Sequence, residues 1–241
     1  MNQTVSIARA FFVTLVGFVV SVQTFAQGTW TTKAPMPTDR LGLAAAEVNG
    51  ILYVIGGYTQ DENAEPSIVL RNTVEAYDPL TDTWTTKAPM PRARLAHAVG
   101  VIDGILYVVG GISNNLTAVD AYDPATNTWS TKAPMPTGRY YLSAGVVNGI
   151  LYAVGGTDFN NLGTSTVEAY DPATNTWSTK APMPTARGGL AAGVVNGVLY
   201  AVGGLSTFSG NPPLLATNEA YDPVTMSSGE AYGTLLPGIT S

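Results

Sequence analysis

One run of 18 residues constrains this chain more than any other feature: Tyr170 to Arg187, YDPATNTWSTKAPMPTAR, recurs almost unchanged at Tyr122 to Arg139. A looser copy lies at Tyr77 to Arg94, a leading half copy at Trp30 to Arg40, and a closing fragment at Tyr221 to Val224. Self-similarity at a fixed period means that each unit is one supersecondary element, which buries its apolar face only by stacking on its neighbours. The functional question becomes what a stack of such units shows to solvent.

The four tryptophans, Trp30, Trp84, Trp129 and Trp177, are separated by 54, 45 and 48 residues. In every unit an Arg follows the Trp by 10 positions (Arg40, Arg94, Arg139, Arg187), and a Gly-Gly pair begins 26 positions after it (Gly56, Gly110, Gly155, Gly203). All variation in length sits between the second Gly and the tyrosine of Tyr-Asp-Pro, where the offsets are 20, 11, 14 and 17. One loop per unit is therefore free to change. Insertions at one topological point collect on one face, where recognition is usually carried.

Four strands fit each unit. The first, such as Leu190 to Val195, is small and apolar throughout, as expected of a strand buried on both faces near a crowded axis. Asn-Gly or Asp-Gly then predicts a tight hairpin turn (Asn49-Gly50, Asp103-Gly104, Asn148-Gly149, Asn196-Gly197), since both central residues need positive φ. The second strand ends in the Gly pair, which predicts a close approach by neighbouring backbone or an aromatic ring. The third, as in Thr166 to Tyr170, runs into an Asp-Pro-x-Thr turn. The fourth, Trp-Ser/Thr-Thr-Lys, is short and polar, suited to an outer edge.

These features resemble the kelch repeat: an Arg, an apolar strand, a Tyr-x-x-Gly-Gly strand, a Tyr-Asp-Pro strand and a Trp before Pro-Met-Pro, over Trp30 to Pro223. The resemblance implies an all-β fold, a kelch-type β-propeller. Four four-stranded blades are expected at about 41–86, 95–131, 140–179 and 188–223, with an amino-terminal strand at 28–32 completing the last. The Trp position after Tyr221 falls on Ser228, so the array ends on a third strand. Closure within one chain as a monomer is the favoured expectation. The alternative is an incomplete ring whose end blades pair between two chains, a blade-sharing dimer.

Around the propeller at 27–228, residues 1–26 read as a signal peptide and 229–241 as a tail. Arg9 closes a polar start, Ala10 to Val22 is apolar, and Thr24-Phe25-Ala26 supplies small residues before a cut. The expected location is secreted or periplasmic, with a membrane as partner only if the signal stays uncleaved. Beyond Arg9 the chain carries 10 basic against 17 acidic residues, a poor balance for binding nucleic acid. Cysteine is absent, which removes thiolate metal sites, thiol nucleophiles and redox chemistry. No cofactor and no metal are expected.

The candidate ligand-binding residues follow from the face on which the variable loops lie. Arg40, Arg94, Arg139 and Arg187 precede the innermost strand and would ring one mouth of the channel. In kelch domains that this chain resembles, matching arginines can bind acidic peptides or carboxylates. The competing role is structural, in pairs with the acid that recurs on the third strand (Glu75, Asp120, Glu168, Glu219). His97, the single histidine, stands where Leu43, Leu142 and Leu190 stand in other units. Tyr58, Tyr140, Tyr141, Phe159 and Phe208 lie near the variable loops and are suited to stacking on sugars or peptide side chains. Asp61, Glu62 and Glu65 form an acidic loop without the ligand spacing of a calcium site. The expected function is a binding module for a protein, peptide or glycan, with no catalytic residues assigned. The alternatives are a carbohydrate-active enzyme of the sialic acid mutarotase type, which the resemblance leaves open, and a non-catalytic incomplete array.

Overall fold

A computed structural model describes residues 28–60, 67–209, 212 and 214–223. The expected signal, the acidic loop at 61–65 and the carboxy-terminal tail lie outside them. The chain divides into Met1–Lys33 and Ala34–Ser241. Of the first unit, residues 28–33 are described and carry no strand.

The second unit is all β among its described residues. The first blade comprises β1 (Ala44–Val48), β2 (Ile51–Ile55), β5 (Val74–Asp78) and β6 (Thr83–Thr86), with a two-stranded excursion, β3 (Tyr58–Gln60) and β4 (Ile68–Leu70), after its Gly pair. The second blade is β7 (Ala98–Ile102), β8 (Ile105–Val109), β9 (Val119–Asp123) and β10 (Thr128–Thr131). The third is β11 (Ser143–Val147), β12 (Ile150–Val154), β13 (Val167–Asp171) and β14 (Thr176–Thr179). The fourth has three strands, β15 (Ala191–Val195), β16 (Val198–Val202) and β17 (Asn218–Tyr221). Each is an antiparallel meander, and the four make a β-propeller arrangement.

The local chemistry explains the meanders. Asn49 and Gly50 have φ of 52° and 82°, and the three equivalent pairs match them, the conformation that a two-residue hairpin requires. The outer strands β6, β10 and β14 are exposed except at their half-buried Trp. Each Trp ring packs beside its own blade's tyrosine, as in Tyr122–Trp129 at 5.0 Å, and its indole N–H donates to the carbonyl of the alanine in the preceding Lys-Ala-Pro segment, as in Trp129 to Ala88 at 2.9 Å. Successive blades are thus latched by Trp-x-x-Lys-Ala-Pro.

The core lies between blades. Val48, Tyr53, Leu106 and Tyr122 unite the first and second blades; Tyr107, Leu142, Leu151 and Tyr170 the second and third; Tyr152, Leu190 and Leu199 the third and fourth. The glycine pairs admit close backbone in each of the first three blades, and at Gly56 the His97 ring as well. Gly111 N–H donates to the Arg139 carbonyl at 2.9 Å, and a Cβ on Gly110 would stand 2.5 Å from that same oxygen.

Two expectations need correction. Among the described residues, 28–32 form no strand and the fourth blade shows three strands. Beside its Tyr221, where other blades seat a Trp, Ala181 to Pro184 line a cavity of about 50 Å³. The innermost strands are also less buried than expected: β7 alternates buried and half-buried, while β15 is largely exposed. Strand β1 packs on β7, β7 on β11 and β11 on β15, so a first strand is covered only where a further blade follows it.

Candidate binding face

The loop after each Gly pair and the segment that enters the next blade's first strand lie side by side. Paired bridges join Leu41 to Tyr58, Leu95 to Ile112, Tyr140 to Thr157 and Gly188 to Leu205. Variable loops and strand entries therefore share one face, as the offsets predict.

The arginines do not open onto it. Their side chains are fully buried. Arg139 donates to Glu168 at 2.8 Å and to the Gly155 and Thr166 carbonyls at 2.8 Å each. Arg40 donates to Glu75 at 2.6 Å and Arg187 to Glu219 at 2.7 Å. Arg94 pairs with Asp120, whose shorter side chain also receives Arg92 at 2.8 Å, at the position where the other units use a threonine. Burial lowers the pKa of Arg94 and Arg139 against the opposing pull of their acids. At Glu219 burial pushes the carboxyl up, but Thr185 and Arg187 outweigh it and its pKa falls below the ordinary value. The expected ring of cations at a mouth is turned inward, because the acid that recurs on the third strand lies within reach of each fork.

His97 is buried as well. Its ring nitrogens make no well-formed hydrogen bond, and the Ile55 backbone offers only a weak polar contact. Burial, aided by the nearby Arg94 charge, pushes its pKa down to about 3. It borders a depression of about 270 Å³ with Leu43, Tyr141, Leu142 and Leu190. The ring fills the place of a leucine, as the alignment of units suggests.

The aromatic candidates divide. Tyr141 stacks on Phe208, ring centroids 4.8 Å apart and parallel within 1°, and Tyr140 packs beside Tyr141 while its hydroxyl bonds Asn161 at 2.5 Å. Phe159 projects from the turn at Asp158 to Asn161. The loops of the third and fourth blades are tied together, Gly163 N–H to the Ser206 carbonyl at 2.8 Å and Phe208 N–H to the Asn161 carbonyl at 2.8 Å. Tyr58 belongs to the first blade and lies against Leu41 and Gly42. Among the described residues no group of His, Asp and Glu stands where it could hold a metal.

Residues 12–205 match the KLHDC2/KLHL20/DRC7 Kelch-repeats domain, and residues 186–225 match the Kelch motif. The chain belongs to the kelch-repeat family. Its kelch relatives include the Influenza virus NS1A-binding protein homolog of Mus musculus, 47% identical over 78 residues, which are 32% of this chain and 11% of that protein. Kelch-like ECH-associated protein 1B of Danio rerio is 37% identical over 84 residues, 35% of this chain and 14% of that protein. The chain spans only these small shares of their length. A solved kelch-like propeller, described as the structure of YjhT, shares the fold with a TM-score of 0.66 at 23% identity, over 74% of this chain and 63% of that one.

Sequence reasoning missed two features of these kelch blades. Leu162 and Leu214 are exposed on the loops of the third and fourth blades, Leu162 bridged to Thr207 next to Phe208 and Leu214 to Leu205. The residue before His97 and its equivalents is left-handed in all four blades: Gly42, Ala96, Tyr141 and Gly189 have φ of 62°, 53°, 50° and 63°. Glycine at two of those four positions was the available signal.

Proposed function

We propose that this kelch propeller is a binding module that grips an extended segment of a partner protein on the loop face of its third and fourth blades. The carrying observation is apolar surface on the loops of these two blades: Phe159 is 80% and Leu214 85% exposed, and exposed Leu162 bridges Thr207 next to the Tyr141–Phe208 stack. Single exposed apolar residues are ordinary, whereas a group of them on hydrogen-bonded loops marks a surface that gains by being covered. Aromatic rings bring large contact area at small entropic cost, which suits an anchor. One relative is by its name a protein that binds another protein, in keeping with this reading. Export to the periplasm or outside is part of the proposal, supported by the polar start, the apolar stretch at 10–22 and the small residues Thr24 and Ala26.

The test is selection from a displayed random-peptide library, with binding then measured to the Phe159→Ser/Leu214→Ser variant. Loss of at least about tenfold is expected there, following the usual weight of anchor residues. Leu80→Ser, on the opposite face, should leave binding unchanged. Peptides that bind both variants equally, or capture of glycans in place of peptides on an array, would overturn the reading.

A further inference from the structure

The interface between blades is built three times and then continues uncovered at both ends of the series. At each junction a leucine of the second strand enters space left by a small residue on the preceding blade's first strand: Leu106 in the cluster of Ala46, Leu151 against Gly100, Leu199 against Gly145. All three leucines are at most 2% exposed. The remaining leucine of this set, Leu52 on the first blade, is 38% exposed. The remaining hollow, at Gly193 on the fourth blade, has nothing within 4 Å of a built Cβ.

Two further relationships break off at the same ends. A second-strand tyrosine meets the next blade's third-strand tyrosine at every junction, Tyr53–Tyr122 at 5.9 Å, Tyr107–Tyr170 at 5.7 Å and Tyr152–Tyr221 at 5.7 Å. Tyr200 of the fourth blade and Tyr77 of the first are the unmatched members. A belt of backbone hydrogen bonds also runs from blade to blade through the left-handed residues, Ala96 N–H to Gly42 O at 3.0 Å, Tyr141 N–H to Ala96 O at 2.9 Å and Gly189 N–H to Tyr141 O at 2.8 Å. Among the described residues it leaves the Gly42 amide and the Gly189 carbonyl without partners.

We propose that a second copy of this chain covers these ends, the first blade of each copy seated on the fourth blade of the other, Leu52 in the hollow at Gly193. The knob, the hollow, the two tyrosines and the two belt ends are the complementary halves of one junction in one register. A heterologous contact of this kind closes when the rotation is right. Two copies then make one ring of eight blades, within the range that propellers adopt. Glu47 is the one departure: it stands where Val101, Val146 and Val194 stand, with its carboxylate turned to the Gly50 amide.

The experiment is the mass of the full chain in solution by light scattering, with variants that the isolated fold tolerates. Wild type is expected at twice the chain mass. Gly193→Leu fills the hollow from a position with open space around it and without positive φ, so it should fold normally, by its near-ultraviolet dichroism, and run as a monomer. Leu52→Arg should do the same. An equimolar mixture of the two variants keeps one good junction, Leu52 of the first with Gly193 of the second, and should regain the dimer mass. Glu47→Val should lower the dissociation constant. A monomeric wild type, a folded Gly193→Leu chain that stays dimeric, or open polymers in place of a dimer would overturn the proposal.

Discussion

Arg139 donates to Glu168 at 2.8 Å with both side chains out of water, and the same guanidinium closes two backbone carbonyls of its own blade. Removing one partner of such a pair leaves a buried charge without compensation, which typically costs about 3–5 kcal/mol. Arg139→Ala should therefore lower the stability measured by urea unfolding by roughly that amount, and Glu168→Gln by less, because the amide still accepts. A cost below about 1 kcal/mol for Arg139→Ala would contradict the role assigned to the pair.

His97 predicts a pH dependence. Its folded pKa of about 3 lies below the ordinary 6.5, so the unfolded chain takes up a proton that the folded chain refuses. The contribution is complete above pH 6.5 and is lost as pH falls toward 3, by about 2 kcal/mol at pH 5. Most carboxylates titrate below about pH 4.5, which leaves the range from 5 to 6.5 to the histidine. His97→Leu, the residue of the other three units, should flatten stability across that range. An unchanged pH profile would show that the ring titrates freely.

Two glycines with different surroundings separate conformational need from mere occupancy. Gly110 has φ of 64°, and a Cβ there would stand 2.5 Å from the Arg139 carbonyl. Gly110→Ala should cost about 2 kcal/mol or more, combining left-handed strain with a backbone clash. Gly193→Ala meets open space within its own chain and, at concentrations where the chain is monomeric, should change the melting temperature little. Equal effects at both sites would refute the distinction.

Ala96 adopts φ of 53°, where its counterparts Gly42 and Gly189 carry no Cβ. Ala96→Gly should relieve left-handed strain and stabilise the fold by up to about 1 kcal/mol, set against the extra freedom of the unfolded glycine. Thermal unfolding by calorimetry measures the sign, and a destabilised variant would mean that the Ala96 methyl packs to advantage.

Much of this fold is legible in single units because its causes are local. The Asn-Gly pairs dictate hairpins through positive φ, each Tyr of Tyr-Asp-Pro is followed by its Trp at fixed spacing, and every unit with an arginine at a strand entry has an acid at the same place on its third strand. Repetition therefore determined the strands, their order and the blade plan. Tertiary structure decided which way the guanidinium groups face, since an Arg spaced for a mouth is equally spaced for an inward ion pair, and burial settles the choice. It also decided that Leu162, Leu214 and the Tyr141–Phe208 stack share one exposed face, and that the knob at Leu52 and the hollow at Gly193 stand uncovered. Those properties depend on how neighbouring blades accumulate around an axis, and no single unit contains that information.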